Sequence, residues 1–459
     1  MAVVPPSDDR GQWGSKLAFV FAAAGSAIGL GNIWRFPYTA GESGGGAFVL
    51  IYLIFVAVIC VPVLFAELAI GRTTRKNPVG ALKALVPSKF WPVVGGLGVL
   101  TGFGILAFYS VIAGWTLMYL YRAVLGEFGD GLSADASNAL FGELIGDPIM
   151  PIILAGAFIL LTIVVVRGGV SGGIERATKI LMPILLVILV ILAIRSVTLP
   201  GGMEGVSYLF VFDFSKITTG VVMNALGQAL FSLSLGMGAM ITYGSYFPKS
   251  ENVHSAGISV AIFDTGIAIL AGLIIFPALF SAGVEPNAGP GLVFVVLPTI
   301  FGSLPAGNIF AIAFYALLAI AALTSTISLL EVCVSYFVDE RGWSRSKAAW
   351  LLGAGCFLLA VPSALSQGAN GFLTGFLGEG LDFLSVQNII WGNYSLSLGA
   401  ILICVFVGWV WGFDKMVEAL EQGRHPLPLK APIRILIKFI CPIAISLILV
   451  FIIVTGNYF

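Results

Sequence analysis

The chain has very few charged residues for its length. Only 10% of its 459 residues are Asp, Glu, Lys or Arg, 58% are hydrophobic, and the mean hydropathy is +1.03. Such a composition excludes a water-soluble domain and predicts a polytopic membrane protein. Acidic and basic residues balance to a formal net charge of zero, so we expect no nucleic-acid partner.

Several chemical signatures are also missing. The two histidines, His254 and His425, lie in polar segments, which leaves no histidine metal cluster. No phosphate-binding loop, nucleophile elbow or His-Glu-x-x-His motif occurs, so neither ATP drive nor an enzyme is indicated. The five cysteines lack metal-like spacing, sit in apolar segments and are expected to be buried thiols: Cys60, Cys333, Cys356, Cys404 and Cys441.

Apolar runs long enough to cross a bilayer predict an all-α protein of eleven transmembrane helices. They fall at about 17–38, 46–70, 91–124, 149–166, 174–197, 218–247, 254–280, 309–337, 347–365, 388–412 and 432–455. Residues 1–13 lack the cationic start, apolar core and cleavage site of a signal peptide. We expect them to remain as a cytoplasmic segment.

The distribution of basic residues predicts the orientation. With the N-terminus inside, nearly all of the 23 Lys and Arg residues fall on the cytoplasmic side, which places the C-terminus outside. The exceptions are Arg35, Arg122, Arg195 and Lys216. Two outer loops, 126–148 and 283–305, are long enough to form structure, and the second could re-enter as a lid.

Two of the apolar segments carry glycine- and serine-rich interruptions in mid-span, over 25–32 and 232–238. Unwound backbone survives at membrane depth where it lines a polar cavity, and paired breaks indicate a transporter binding site. Gly25 and Gly29 are also spaced for helix packing. Because five helices separate the breaks, we expect an inverted repeat within one transmembrane domain: 14–197, then 218–412, with 431–456 as an added helix.

Three acidic residues, Glu67, Asp264 and Glu331, lie inside apolar segments, where a charge is expensive and is functional by default. Asp264 is the strongest candidate for a cation ligand, and the alternative is a buried carboxylate bonded to neighbouring hydroxyls. For Glu67 we favour bracing of broken backbone. For Glu331 we favour packing or the lining of a vestibule.

A cluster of hydroxyl side chains, Thr324, Ser325, Thr326 and Ser328, occupies an otherwise apolar segment. Hydroxyl oxygens suit Na⁺, a hard cation without strong geometric demands. The alternative is hydrogen bonding back to the preceding helical turn, which is common for Ser and Thr in membranes. Beside two broken helices and an intramembrane aspartate, we favour sodium binding.

The sequence resembles the neurotransmitter:sodium symporter family, in its bacterial branch of hydrophobic amino-acid transporters. The resemblance runs from about Gln12 to the end and depends on residues 24–37 (AGSAIGLGNIWRFP), 227–236 (GQALFSLSLG) and 322–325 (ALTS). It implies the LeuT-like fold, with helices 1 and 6 broken mid-membrane. It also implies alternating access, two Na⁺ ions, a hydrophobic L-amino-acid substrate and a location in the bacterial inner membrane.

The resemblance also implies site residues, position by position. The first sodium site would be formed by Ala27, Asn32, Ser232 and Asp264. The second would be formed by Gly25, Ile28, Ala321, Thr324 and Ser325. The substrate would contact Ala27, Leu30, Gly31, Ile105, Tyr109, Phe231, Ser232, Ser234, Met237, Ser325 and Leu329.

Gate residues and a chloride substitute follow from the same resemblance. Arg35 and Asp382 resemble the outer gate pair, with Glu379 as an alternative acidic partner, and Arg10 and Asp339 resemble the inner pair. Trp13 and Tyr246 sit where the family packs the inner gate.

Asp264 would supply the negative charge that chloride supplies in animal relatives, so no chloride requirement is expected. A sodium-dependent channel or a non-transporting amino-acid sensor on the same fold is the alternative.

Overall fold

The structure is a computed structural model, described here over residues 11–128, 131–286, 289–304, 306–378, 380–422, 425–456 and 458. Within these residues it consists of helices and connecting loops without strands, as the sequence predicts. The helices that form the bundle are α1 (Lys16–Ala27), α2 (Gly31–Glu42), α3 (Gly46–Thr74), α4 (Trp91–Val124), α5 (Met150–Arg167), α6 (Val170–Val197), α7 (Thr219–Ser232), α8 (Ala239–Ser245), α9 (Val253–Ser281), α10 (Gly307–Arg341), α11 (Arg345–Leu365), α12 (Phe383–Leu420) and α13 (Lys430–Thr455).

Nine of these helices in the described residues are long and apolar enough to span a membrane. A tenth span is the pair α1 and α2, which is bent by 55°. The two short helices α7 and α8 flank the second predicted break. This arrangement is compatible with the eleven predicted spans, while the division into repeats stays a prediction.

The first break has a simple local cause. Ile28 ends α1 in an extended conformation, with φ −72° and ψ 108°, and α2 then starts as a π-helical turn over Gly31–Arg35. Asn32 stabilises the turn between the two helices by accepting a hydrogen bond from the backbone N–H of Gly29 at 3.2 Å. The interruption therefore leaves backbone carbonyls outside any helical hydrogen-bond ladder.

The second break lies between α7 and α8. Ser234, Gly236 and Gly238 all have positive φ, at 53°, 87° and 76°, which no continuous helix permits. A Cβ on Gly236 would overlap the backbone carbonyl of Leu396 in α12, so close approach of the two segments also requires glycine there. Serine at 234 adopts the left-handed conformation without the freedom of glycine.

Helix α10 packs along α4 through the middle of the bundle and brings its hydroxyl cluster beside the first break. We call the end of the bundle where α1 begins the N-terminal face, and the other end the opposite face. His254, expected in a polar segment, instead lies in the first turn of α9 and is buried. All five cysteines are free and buried, as predicted.

Both long loops form structure. The first contains a helix over Ala134–Gly146, and the second contains a helix over Val296–Ser303. The stretch just before that second helix is buried and held by hydroxyl groups: Tyr119 donates to the Phe294 carbonyl at 2.6 Å, and Tyr315 donates to the Val293 carbonyl at 2.9 Å. The second loop therefore packs down onto the bundle.

Candidate functional site

The two breaks lie against each other. The Ser234 hydroxyl donates to the Ser26 carbonyl at 3.1 Å. On the other side, the Gln228 amide donates to the Gly31 carbonyl at 2.8 Å. The first bond satisfies a carbonyl at the interrupted end of α1, and the second adds to the Phe36 N–H bond that the Gly31 carbonyl already accepts within α2. The breaks thus bring polar backbone and hydroxyl groups together at one depth of the bundle.

Asp264 is the centre of the first predicted sodium site and is completely buried in α9. Its carboxylate accepts hydrogen bonds from the Asn32 amide at 2.7 Å and from the Ser232 hydroxyl at 2.8 and 3.0 Å. Tyr52, which sequence reasoning missed, adds its hydroxyl at 3.5 Å. The structure thus brings Asn32, Ser232 and Asp264 together.

The charge of Asp264 bears on what the group could hold. No Lys, Arg or His pairs with it among the described residues. Neutral donors alone leave a net negative charge in a dry environment, which is unfavourable without a cation. Carboxylate, amide and hydroxyl oxygens are the ligands that hard cations prefer. The residues present therefore fit a monovalent cation. The hydrogen bonds from Ser232 and Tyr52 are those expected from the alternative interpretation, in which Asp264 is a buried carboxylate bonded to neighbouring hydroxyls.

The second predicted sodium site also assembles from its parts. The Ser325 hydroxyl lies 3.2 Å from the Ile28 carbonyl, across the break. The Thr324 hydroxyl donates to the Ala321 carbonyl at 3.0 Å, which is the bond to the preceding turn that the alternative interpretation expects, and Thr326 and Ser328 bond in the same way. Thr324 is also 3.5 Å from the Ile28 carbonyl and packs against Gly25. The cluster offers only oxygen atoms, which fits Na⁺. Sequence reasoning missed one neighbour, the Ser26 carbonyl, which accepts from Ser325 at 3.3 Å.

A small cavity of about 30 Å³ lies between the breaks. Five of the residues predicted to contact the substrate line it with their side chains: Ile105, Phe231, Met237, Ser325 and Leu329. Ala27, Gly31, Tyr109 and Ser234 line it as well, whereas Ser232 points to Asp264. In this structure the cavity is far smaller than an amino acid and must widen to admit one.

The polar end of this cavity is formed by Tyr109. Its hydroxyl accepts a hydrogen bond from the Leu30 N–H at 2.8 Å, at the start of α2, where helical N–H groups favour an anion. Three lining residues were missed: Ser26, Gly29 and Leu396. The first two belong to the recognised break. Leu396 lies on α12, and no local sequence signal marks it.

A second, larger cavity of about 430 Å³ opens at the opposite face, and we call it the vestibule. Phe231 and Tyr109 line both cavities and so form the boundary between them. Arg35 lines the vestibule and places its guanidinium carbon 4.5 Å from the Phe231 ring centre, a cation–π contact. The route from the opposite face therefore ends at an aromatic barrier above the small cavity.

The outer gate pair expected between Arg35 and Asp382 is not formed in this structure. Asp382 instead caps the first turn of α12, accepting from the Ser385 N–H at 2.9 Å, and accepts from the Gln367 amide at 2.9 Å. Its carboxylate is therefore used by neighbours on its own side of the vestibule. Glu379, the alternative partner, lies outside the described residues.

The N-terminal face is closed by a packed aromatic cluster. Trp13 is buried, donates its indole N–H to the Tyr243 carbonyl at 3.0 Å and packs edge-on against Tyr246. Tyr246 in turn donates to Glu331 at 2.7 Å, and Glu331 forms an ion pair with Arg345. Glu331 thus holds the closure together rather than lining the vestibule. Sequence reasoning missed Arg345, which is one of many basic residues near this face.

Asp339 and Glu67 have definite partners too. Asp339 accepts hydrogen bonds from the backbone and the side chain of Asn77, both at 3.0 Å, and Arg10 lies outside the described residues. Glu67 accepts from the Gly236 N–H at 2.7 Å, which is the bracing contact with broken backbone that the sequence indicates. Its other carboxylate oxygen is buried without a hydrogen-bond partner.

Comparison with known proteins gives one consistent result. The family model described as the sodium:neurotransmitter symporter family matches residues 10–129 and 144–458. An uncharacterized sodium-dependent transporter of Bacillus subtilis, YhdH, is 40% identical over 90% of this chain and 91% of its own. An uncharacterized sodium-dependent transporter of Haemophilus influenzae is 38% identical over 96% of this chain and 98% of its own. The crystal structure of MhsT in complex with L-phenylalanine superimposes with a TM-score of 0.88 at 45% identity, covering 96% of this chain and 99% of that one.

Proposed function

The chain belongs to the sodium:neurotransmitter symporter family, and from this premise we propose that it couples the entry of hydrophobic L-amino acids to that of Na⁺. It is a multi-pass membrane transporter of a sodium-dependent family, not a member of an enzyme family. The resemblance drawn from the sequence motifs and the LeuT-like fold are both confirmed. What remains to be proposed is the substrate, the number of ions and the role of chloride.

The observation that carries the proposal is the cavity between the two breaks. One end offers Tyr109 and the start of α2 to a carboxylate, while Ile105, Met237 and Leu329 present an apolar wall to a side chain. The relative MhsT, crystallised with L-phenylalanine, shares this fold over nearly the whole chain. A hydrophobic L-amino acid suits both ends of the cavity.

Coupling follows from charge. A cation beside Asp264 and a zwitterion in the adjoining cavity would each reduce the cost of burying the other, so each strengthens the other's binding. We propose two Na⁺ ions, one at Asn32, Ser232 and Asp264 and one at Thr324 and Ser325. Each inward Na⁺ gains about 2.3 kcal/mol per 100 mV of membrane potential. Aspartate at position 264 makes chloride unnecessary in this proposal.

We place the N-terminal face in the cytoplasm of a bacterial cell, as the distribution of Lys and Arg favours. The vestibule then faces outward and the aromatic cluster around Trp13 closes the inner side. Alternating access would open this cluster and close the vestibule over the substrate. The channel alternative is less favoured, because Phe231 and Tyr109 interrupt the route below the vestibule.

The test is uptake into vesicles that contain the purified full-length chain. With an inward Na⁺ gradient, radiolabelled L-phenylalanine should accumulate, and unlabelled leucine, isoleucine and valine should compete. An equal K⁺ gradient and protein-free vesicles should give no accumulation. Equal uptake in K⁺ would contradict sodium coupling. A Na⁺ current without amino-acid movement would identify a channel, and binding without uptake would identify a sensor.

A further inference from the structure

A groove of about 600 Å³ runs along the side of the bundle between α4, α12 and α13. Its volume lies in the range of about 300–1,000 Å³ that is typical of cavities for whole small molecules. It shares no lining residue with the vestibule. The main lining residues are Leu97, Trp391, Tyr394, Leu398, Leu449 and Ile453.

The walls of this groove are mainly apolar. Two of the three polar side chains in them, Ser395 and Trp391, are already hydrogen-bonded, and the third, Tyr394, packs against Tyr458. The Ser395 hydroxyl is 2.5 Å from the Thr101 hydroxyl, and the Trp391 indole N–H donates to Gln387 at 2.5 Å. A zwitterion or an ion would find no partner here and would lose its hydration. The chemistry of the groove therefore selects an apolar occupant.

The groove is open to the surroundings of the bundle at the depth of the membrane. All of its lining residues belong to helices long and apolar enough to span a bilayer. Leu398 is 40% exposed and Ile453 is 63% exposed, so both are accessible from the side. The apolar molecules present at that depth are lipid acyl chains, which extend along the membrane normal as these helices do.

The groove is connected to the substrate cavity through one segment of α12. Residues Asn388–Ser395 form a π-helical stretch, and Ile389, on the other side of this stretch, lines the vestibule. Leu396, the next residue, lines the substrate cavity. Trp391 packs so closely on Gly104 that a Cβ there would overlap its ring. Gly104 in turn precedes Ile105 of the cavity wall.

We propose that an acyl chain of a bilayer phospholipid occupies this groove and that its presence strengthens binding of the amino-acid substrate. The chain would fill the space behind Trp391 and hold the π-helical stretch, with Leu396 and Ile105, against the cavity. Loss of the chain leaves this stretch without packing partners on one side, which favours movement away from the substrate. The occupancy of the groove by an acyl chain stands alone. The effect of that chain on substrate binding rests on the proposed function.

Occupancy is tested by photo-cross-linking. The full-length chain is placed in phosphatidylcholine vesicles that contain a phosphatidylcholine with a diazirine in mid-chain, illuminated and mapped by peptide mass spectrometry. We expect labels to concentrate on residues 390–398 and 449–453. Leu398→Trp should remove most of this labelling, because the larger side chain takes the space of the acyl chain.

Val454→Trp is the matched control. It adds a similar side chain one residue beyond Ile453, at a position that is 76% exposed and does not line the groove. Labelling should then equal the wild type. Labels spread evenly along α13, or equal loss in both variants, would overturn the groove as a lipid site. Absence of lipid labels at the groove, together with a dimer detected by native mass spectrometry, would assign the groove to a second copy of the chain.

Coupling is tested by binding of radiolabelled L-phenylalanine in Na⁺, with purified protein in detergent before and after phosphatidylcholine is added. Lipid should tighten binding by about fivefold in the wild type and in Val454→Trp, and should have no effect in Leu398→Trp. Lipid labelling without this response would overturn the coupling. If L-phenylalanine does not bind at all, the proposed function fails, while the cross-linking result still decides the occupancy of the groove.

Discussion

The carboxylate of Asp264 and the side-chain amide of Asn32 are 2.7 Å apart, although 232 residues separate them in the chain. This contact ties α9 to the break between α1 and α2. It places a negative charge beside Asn32, whose side chain also accepts a hydrogen bond from the Gly29 N–H within the break. The predictions below start from this charge and from the contacts around the cavity.

Transport should not require chloride. Replacing chloride by gluconate should leave L-phenylalanine uptake unchanged in the wild type, because Asp264 supplies the negative charge permanently. Asp264→Asn should lose most uptake at low chloride, and Asp264→Ser should regain part of it when chloride is added. Asp414→Asn, which removes a carboxylate that is 84% exposed, is the control and should behave as the wild type. Strict chloride dependence of the wild type would contradict the assignment.

The second sodium site should depend on two hydroxyls. The double variant Thr324→Val and Ser325→Ala removes both ligands with little change of volume. It should raise the Na⁺ concentration for half-maximal uptake by about tenfold, equivalent to roughly 1.4 kcal/mol of lost ion binding. Ser328→Ala is the matched control, because within the described part of the chain that hydroxyl bonds to the Ser325 carbonyl on its own helix and to no other group. An unchanged sodium dependence in the double variant would remove these hydroxyls from the site.

Met237 should set the size of the accepted side chain. It lines the cavity with Ile105 and is 4% exposed, so a phenylalanine ring at this position would take up substrate space. Met237→Phe should shift preference from L-phenylalanine toward L-valine and L-alanine in a competition panel. Met203→Phe, at a position that is 62% exposed in the short helix Gly202–Phe210, should leave the profile unchanged. If the two profiles coincide, Met237 does not contact the substrate.

Removing one partner of the ion pair between Glu331 and Arg345 at the N-terminal face should destabilise the folded protein. Arg345→Met removes the cation that pairs with the buried carboxylate of Glu331, which should cost about 3–5 kcal/mol and lower the unfolding temperature. Adding Glu331→Gln should restore most of the loss, because no buried charge then remains. Lys347→Met, which removes an exposed cation over Trp343, should cost less than about 1 kcal/mol. Thermal unfolding in detergent compares the three, and equal losses would refute the role of the pair.

Much of the fold could be predicted because its strongest signals are local. Apolar length gives the spans, and glycine with serine in mid-span gives both breaks. The π-helical stretches, such as Asn388–Ser395, had no such signal, because an extra residue in a helical turn is stabilised by neighbouring helices. Helix α12 is also longer than predicted, because neighbouring helices stabilise its ends. The predicted span is 388–412, and the helix in the structure is Phe383–Leu420.

Within the candidate site, the difference between local and distant signals decides what could be found. The cavity walls at Phe231 and Ser325 lie in recognisable motifs. Leu396 and Arg345 acquire their positions only from packing between helices distant in sequence. Asp382 differs from these residues. The resemblance gives it a role in the outer gate, whereas in the structure its side chain caps the first turn of α12.

The burial of all five thiols has a practical consequence for studying this protein in motion. A membrane-impermeant maleimide reacts with exposed thiolates and should leave the native chain unmodified. A single cysteine introduced at an exposed or gated position would then be the reactive one, without removal of the native five. Reporter groups at the rim of the vestibule and beside Trp13 would follow opening and closing at both faces in an otherwise unaltered protein.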